Sequence, residues 1–215
     1  MTTATILHFL VNSARMHFMS ESAISLREQK RWDTTRRITL CAQRLTDAHG
    51  IDGFTMEELA EAAEVSRRTL FNYFPSKTDA VLGEHPEIPE DVLATFVAGG
   101  PHGNLVDDVA ELARIALEAK QTDRESIALG RRVLNANPRL MAAAHERFES
   151  VVEEFATLVL EREGASFPPS RARLLLHMLL ALFDTALVEL IEDTSDRPLV
   201  ELFEIQLISA RTLFA

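Results

Sequence analysis

Residues 54–77 read FTMEELAEAAEVSRRTLFNYFPSK, and this stretch decides the fold. Thr55 and Glu58 have the spacing of a capping box, in which each side chain satisfies a free backbone N–H group of the other. Ser66 is a second N-cap, and the helix that it begins has to end by Pro75, because proline cannot continue a helix. The sequence therefore predicts two short helices joined by a tight turn.

The second short helix presents Arg67 and Arg68 in its first turn. The major groove of DNA is about 12 Å wide and admits one α-helix, whose first turn can direct guanidinium groups at base edges. Helix N-termini also present free N–H groups and a partial positive charge to phosphates, so Thr55 and Ser66 suit backbone contacts as well as capping. The pair of helices therefore has the form of a helix-turn-helix that reads DNA.

Helical spacing continues on both sides of this pair. Apolar residues over 38–48 predict a preceding helix, which the HGIDG run at 49–53 ends. Ser76 and Asp79 cap a further helix that enters a break at 83–89. Beyond the break, the pattern predicts helices at about 90–98, 104–120, 124–135, 138–163, 169–192 and 197–214.

The fold class follows from the same pattern. Glycine and proline are sparse, and the alternation of β-branched residues that is typical of strands is nearly absent. We therefore predict an all-α protein in three parts. Residues 1–29 form a poorly ordered N-terminal extension, residues 30–82 a helix-turn-helix domain, and residues 83–215 a larger helical domain.

Charge is distributed unevenly between these parts. The formal net charge is -11, yet residues 27–80 hold nine Lys/Arg and nine Asp/Glu, whereas residues 81–215 hold twelve and twenty-three. An electroneutral N-terminal unit can still present one basic face. An acidic body is repelled by phosphates, so that only this face would meet DNA.

Composition excludes several classes of protein. Apolar residues make up 47% of the chain and charged residues 26%, which is ordinary for a soluble globular protein. The single cysteine, Cys41, has no second cysteine with which to form an intramolecular disulfide or a cysteine-based zinc site. The reducing cytoplasm is therefore the expected location of the protein. The longest apolar stretch, 174–183, is shorter than the roughly 20 residues of a membrane span, so we predict no transmembrane helix.

The stretch at 54–77 resembles the DNA-binding signature of the TetR family, and the likeness extends over about residues 31–82. It combines the Val-Ser turn, the Thr-Leu-aromatic-x-Tyr-Phe recognition helix and the lysine that starts the next helix. Two residues depart from the family pattern. Glu64 stands in place of the usual turn glycine, which strains the turn if its φ is positive, and Phe71 replaces a common tyrosine, which removes a possible phosphate hydrogen bond.

The resemblance divides the N-terminal residues between DNA contact and support. The supporting core would consist of Leu59, Ala63, Val65, Leu70 and Phe74. The residues implied to face DNA are Lys30, Arg31, Arg36, Thr55, Ser66, Arg67, Arg68, Thr69, Asn72, Tyr73 and Lys77. The cations before and within the first helix would touch phosphates or the minor groove.

For the larger domain, the resemblance implies ligand binding and dimerisation. The helices from about 138 to 192 would enclose a mostly apolar cavity, and the last two helices would pair with a second copy in a four-helix bundle. The candidate ligand residues are Arg131, Arg132, Phe148, Phe155 and His177, and the candidate interface residues are Leu182, Phe183, Leu202 and Ile205. The implied partners are a double-stranded DNA operator, a second copy of the chain and a small-molecule effector, either lipophilic or similar to an acyl thioester; no cofactor is implied.

Other functions are weighed against this one. His177 and Asp184 could form a buried acid-base pair on one helix face, but polar groups in a helix bundle more often satisfy each other or a partner chain. No Glu-x-x-His or His-Glu-x-x-His pattern is present, so we predict neither catalytic residues nor a metal site. We predict a ligand-responsive homodimeric repressor on a near-palindromic operator. The alternatives are a constitutive DNA-binding protein and a helical-bundle enzyme with a vestigial DNA module.

Overall fold

The structure, a computed structural model, describes residues 26–84, 88–118, 124–192 and 197–214. Within these ranges every regular element is a helix, which confirms the predicted all-α class. The N-terminal helices are α1 (Leu26–His49), α2 (Met56–Ala62), α3 (Arg67–Tyr73) and α4 (Lys77–Leu82). The C-terminal helices are α5 (Glu90–Val97), α6 (Leu105–Glu118), α7 (Arg124–Ala136), α8 (Pro138–Glu163), α9 (Pro169–Glu192) and α10 (Leu199–Phe214).

The helices begin where the predicted caps stand. Thr55 and Glu58 form the capping box in both directions, with Thr55 N–H donating to Glu58 Oε2 at 2.7 Å and Glu58 N–H donating to Thr55 Oγ1 at 3.2 Å. The side chain of Asn137 caps α8, which opens with a first-turn proline. These hydrogen bonds satisfy the first N–H groups of each helix, which have no carbonyl partner within the helix. Because the capping side chains are close in sequence to the groups that they cap, the helix starts could be predicted from the sequence alone.

Helix α1 joins the two domains. It packs against α2 and α4 on one side and against α7 on the other. Ile38 and Ala42 are fully buried on it, and the Gln43 amide, 1% exposed, donates to Val81 O at 3.1 Å. The longest helix of the N-terminal domain thus also forms its contact with the C-terminal domain.

The predicted boundary of the N-terminal extension differs from the structure. Residues 26–29 belong to α1, so the helix begins four residues before the predicted domain start at 30. The apolar spacing used for the prediction starts only at Ile38, and the polar first turns of α1 carry no such signal. The remainder of the predicted extension, 1–25, lies outside the described residues.

A buried ion pair connects the C-terminal end of α8 to the first turn of α6. The Arg162 and Asp108 side chains are 5% and 0% exposed, with Nη2 and Oδ2 2.5 Å apart. Arg162 also donates to Phe96 O at 3.0 Å and Gly99 O at 3.3 Å, and Asp108 accepts the His102 N–H at 2.6 Å. Burial by itself would raise the pKa of Asp108, but these hydrogen bonds and the guanidinium charge outweigh it and leave the pKa below its ordinary value.

Helix α9 is long and apolar enough to span a membrane by length and composition, which the prediction from 174–183 did not anticipate. It packs between α8 and α10, and Leu179, Phe183 and Leu187 are among its buried residues. The core helix of a bundle passes the same composition test. We therefore assign α9 to the helical core of the C-terminal domain.

Candidate nucleic-acid interface

The turn between α2 and α3 is fixed by backbone hydrogen bonds and by one strained residue. Val65 N–H donates to Ala60 O at 2.9 Å, and Ser66 Oγ accepts the Thr69 N–H at 3.0 Å. Glu64 has a φ of 52°, so the residue that replaces the usual glycine does adopt the left-handed conformation. Such a conformation costs about 1–3 kcal/mol for a residue with a Cβ, and the surrounding packing has to offset it.

The packing that holds the two helices together is the predicted small core. Leu59, Ala63 and Leu70 are completely buried and Phe74 is 2% exposed, while Val65 is partly buried against them. Phe74 therefore turns inward and Tyr73 lies at the edge, half-buried, as expected for neighbours about 100° apart on a helix.

The opposite face of α3 is exposed. Arg67, Arg68 and Asn72 are open to solvent, and Phe71, a large apolar residue, is 42% exposed among them. Thr69 is half-buried, and its hydroxyl hydrogen-bonds that of Ser66 at 2.7 Å. The exposed face of the recognition helix thus combines two guanidinium groups, an amide and an aromatic ring.

The two arginines of this turn have different environments. Arg67 Nε lies 2.9 Å from Glu57 Oε1, and its guanidinium carbon lies 5.5 Å from the centre of the Phe71 ring. Arg68 forms no ion pair with any residue in the described part of the chain. Arg67 is therefore oriented in advance by α2, whereas Arg68 is free to meet a base or phosphate.

A second cationic position lies where α1 passes α3 and α4. The guanidinium of Arg31 sits 5.9 Å from the centre of the Tyr73 ring and 3.1 Å from Glu84 Oε1. Arg36 sits 5.6 Å from the Trp32 ring centre on the same helix, and Lys30 is exposed. The structure therefore brings together Arg31 and Tyr73, two of the residues that the sequence predicts to face DNA.

Lys77 has a structural role that the sequence did not suggest. Its Nζ donates to Phe54 O at 2.8 Å and lies 5.0 Å from the centre of the Phe54 ring. The lysine thereby ties the start of α4 to the residue before the Thr55 cap. A phosphate contact would have to use its remaining N–H groups.

Glu57 was not singled out from the sequence, although it orients Arg67. The two residues are ten positions apart on different helices, so helical spacing gives no signal for the pair. A signal was nevertheless present, because a helix-turn-helix brings the start of α2 near the start of α3.

Comparison with known proteins agrees with this geometry. The model of the family described as bacterial regulatory proteins, tetR family, matches residues 38–82, which span the second half of α1 to the end of α4. This N-terminal domain belongs to the TetR family. The resemblance inferred from residues 31–82 is thereby confirmed, and the chain carries a TetR-family DNA-binding domain.

One curated relative extends the likeness beyond the TetR-family domain. The chain is 28% identical over 145 residues to the HTH-type transcriptional regulator TcmR of Streptomyces glaucescens. The match covers 65% of this chain and 64% of that protein, so it spans less than two thirds of the relative's length.

The candidate ligand residues do not all lie together. Phe148, 2% exposed, meets the His177 ring edge-on with centroids 5.9 Å apart, and His177 Nε2 lies 3.5 Å from Glu149 Oε1. Phe155 and Arg131 are half-buried. Arg132 is exposed and forms a two-point contact with Asp47 of α1, at 2.9 and 2.7 Å, so it faces the N-terminal domain and not the interior of the bundle.

Asp184 was weighed only as a partner of His177, but its surroundings are different. Burial raises the pKa of Asp184, and the nearby positive charge of Arg131 acts in the opposite direction. Its Oδ1 is buried without a hydrogen-bond partner among the described residues. Asp184 is thus a polar group in the bundle with one carboxylate oxygen that accepts no hydrogen bond from the described residues.

A cavity of about 310 Å³ opens between α6 and α10. Its floor is Phe203 with Leu207, and its rim carries the ion pairs of Glu111 with Arg114 and of Asp107 with Arg211. None of the five candidate ligand residues lines it. The cavity therefore lies in a different place from the one that the sequence implied.

The candidate interface residues are largely internal. Phe183 and Leu202 are 3% and 1% exposed, and Leu182 and Ile205 are partly buried against the core. The exposed apolar residues of the last two helices are instead Leu174, Met178, Ile208 and Leu213, at 59%, 40%, 63% and 81%. Any interface built from α9 and α10 would use this second set, which we call the outer apolar face.

Proposed function

We propose that the chain is a homodimeric transcriptional repressor that binds a near-palindromic DNA operator in the cytoplasm and responds to a small molecule. The observation that carries the DNA-binding part is the first turn of α3, with Arg67 oriented by Glu57 and Arg68 exposed without an ion pair among the described residues. Guanidinium groups in such a position bind guanine edges with two hydrogen bonds.

Replacement of Arg68 by alanine is expected to weaken operator binding by about 1–3 kcal/mol and to relax sequence preference at one operator position. The reason is that only a base contact carries sequence information, whereas a phosphate contact weakens all sequences equally. The operator can be obtained by selection from random duplexes, and affinities can be measured by fluorescence anisotropy against salt.

Arg139→Ala is the matched control for this test. It removes the same charge from an exposed pair with Asp52, at the start of α8 and away from α3. Unchanged operator affinity and specificity in folded Arg67→Ala and Arg68→Ala proteins would show that α3 does not enter the major groove.

The outer apolar face supports the proposed dimer. Monomeric proteins seldom leave clustered large apolar residues in water, and four such side chains are exposed on two neighbouring helices. A two-fold dimer would place this face of α9 and α10 against its own copy and would hold two recognition helices at a fixed spacing.

Ile208→Asn is expected to shift the protein from dimer to monomer at micromolar concentration. Burying an unpaired amide costs about 1–3 kcal/mol for each copy, on top of the apolar contact that is lost. Light scattering measures the change. Val106→Asn, at an exposed apolar position on α6, is the control that should remain dimeric. A monomeric wild-type protein that binds a single half-site with full affinity would disprove the dimer.

Ligand response is proposed from the polar groups inside the C-terminal bundle. Asp184 has a buried oxygen without a hydrogen-bond partner among the described residues, near the charge of Arg131, and Phe148 packs against His177. These residues would supply apolar contacts and polar anchors to a lipophilic or acyl-thioester-like effector. Release of the operator by such a molecule supports this function. Salt-dependent binding with no release favours the constitutive alternative, and turnover abolished at His177 or Asp184 favours an enzyme.

A further inference from the structure

Arg147 of α8 reaches into the N-terminal domain. One of its guanidinium nitrogens donates to Gly83 O at 2.7 Å and the other donates to Asp79 Oδ1 at 2.9 Å. Gly83 ends α4 with a φ of 77°, so the arginine satisfies a carbonyl at the end of that helix. A single side chain of the C-terminal domain therefore holds both the body and the end of α4.

The contact continues from Asp79 toward the helix-turn-helix. Asp79 accepts the Ser76 hydroxyl at 2.6 Å and donates its own N–H back to Ser76 Oγ at 3.1 Å, which caps α4. The next residue, Lys77, is hydrogen-bonded to Phe54 O just before α2. Hydrogen bonds on either side of the covalent link between Ser76 and Lys77 thus connect α8 through the start of α4 to the residue before the Thr55 cap of α2.

Burial distinguishes Arg147 from Arg132 and Arg139, which also pair with carboxylates of the N-terminal domain. The Arg147 and Asp79 side chains are 18% and 30% exposed, against 59% and 34% for Arg132 with Asp47 and 79% and 78% for Arg139 with Asp52. Exposed pairs contribute little because water screens them, whereas a partly desolvated arginine with two acceptors fixes its partner's position.

We propose that Arg147 is a positioning residue for DNA binding, which sets the orientation of the helix-turn-helix on the C-terminal domain through α4. The inference rests on the proposed homodimeric function, because the spacing of two recognition helices depends on how each is mounted on its own protomer. Arg147 contacts no DNA in this arrangement, so it governs operator spacing and not base reading.

The test compares Arg147→Met with the wild-type protein on three kinds of DNA: a single half-site, the selected operator, and operators whose half-sites are one or two base pairs closer or farther apart. Half-site affinity is expected to stay within about twofold. The preference for the selected spacing is expected to fall by about fivefold or more, the scale of a typical coupling between sites. Arg139→Met is the control and should keep the full preference.

A measurement without DNA separates failure of this inference from failure of the proposed function. Spin labels at Arg68→Cys and Glu154→Cys, in a Cys41→Ser background diluted with unlabelled protein, report the distance between α3 and α8 within one protomer. The distance distribution is expected to be narrow with Arg147 and broader with Arg147→Met. If the wild-type protein binds no DNA, the proposed function fails, and the label distances still decide whether Arg147 positions the domain.

Three results would overturn the inference: an unchanged spacing preference, an unchanged distance distribution, or a parallel loss of half-site affinity, which would make Arg147 a general scaffold residue. Arg147→Lys keeps the proposal testable if the methionine variant fails to fold. It retains the charge but cannot present the planar pair of donors to both acceptors, so its preference for the selected spacing should lie between those of the wild-type protein and a complete loss.

Discussion

Arg162→Met is expected to lower the free energy of unfolding by about 3–5 kcal/mol, because it leaves the carboxylate of Asp108 buried without its counter-charge. Asp108 is 0% exposed and Arg162 5%, so water does not replace the lost partner. The carbonyls of Phe96 and Gly99 lose a donor as well. Denaturant unfolding followed by circular dichroism measures the difference.

The loss should depend on pH in a defined direction. The folded-state pKa of Asp108 lies below its ordinary value of 3.8, so the pair contributes stability that is fully present above that value and is lost as the pH falls through the folded-state pKa. Protonated Asp108 carries no charge, so its burial without the guanidinium costs less free energy. The gap between wild-type and variant should therefore narrow as the pH is lowered below about 4.

Arg173→Met is the matched control, since Arg173 joins α9 to α8 through Glu149 and Glu153 but is 46% exposed. Exposed pairs contribute about 0–1 kcal/mol, so the control should differ little from the wild-type protein. An equal decrease in the free energy of unfolding in Arg162→Met and Arg173→Met would contradict the prediction that breaking the buried pair is more destabilising than breaking the exposed one.

Local features of the fold could be predicted from the sequence because they depend on neighbouring residues. The bounds of α8 and α9 were predicted as observed, from the caps and prolines at their starts and the apolar spacing along them. The strain at Glu64 was predicted as conditional on a positive φ, and the φ of 52° fulfils the condition. Each of these depends on interactions within a few residues of the chain.

Features that depend on distant residues could not be predicted. Arg132 pairs with Asp47, 85 positions away, and no periodic pattern connects them. The inward orientation of Phe183 and Leu202 was also missed, because α9 and α10 are apolar on most of their circumference. Periodicity then does not say which face turns to the core and which to a partner.

Leu70→Ala is expected to destabilise the N-terminal domain by about 2–5 kcal/mol and to weaken binding to every DNA sequence together. Leu70 is 0% exposed between α2 and α3, so its truncation leaves a cavity in the small core that sets the angle of the recognition helix. Trp32, the single tryptophan of the chain, lies half-buried on α1 and reports unfolding of this domain by fluorescence. Phe71→Ala on the same helix is the control, because its ring is 42% exposed and its loss leaves no cavity. Arg68→Ala should leave the unfolding curve unchanged and alter DNA preference, the opposite combination to Leu70→Ala. An unfolding midpoint of Leu70→Ala equal to that of Phe71→Ala would contradict the placement of Leu70 in the domain core.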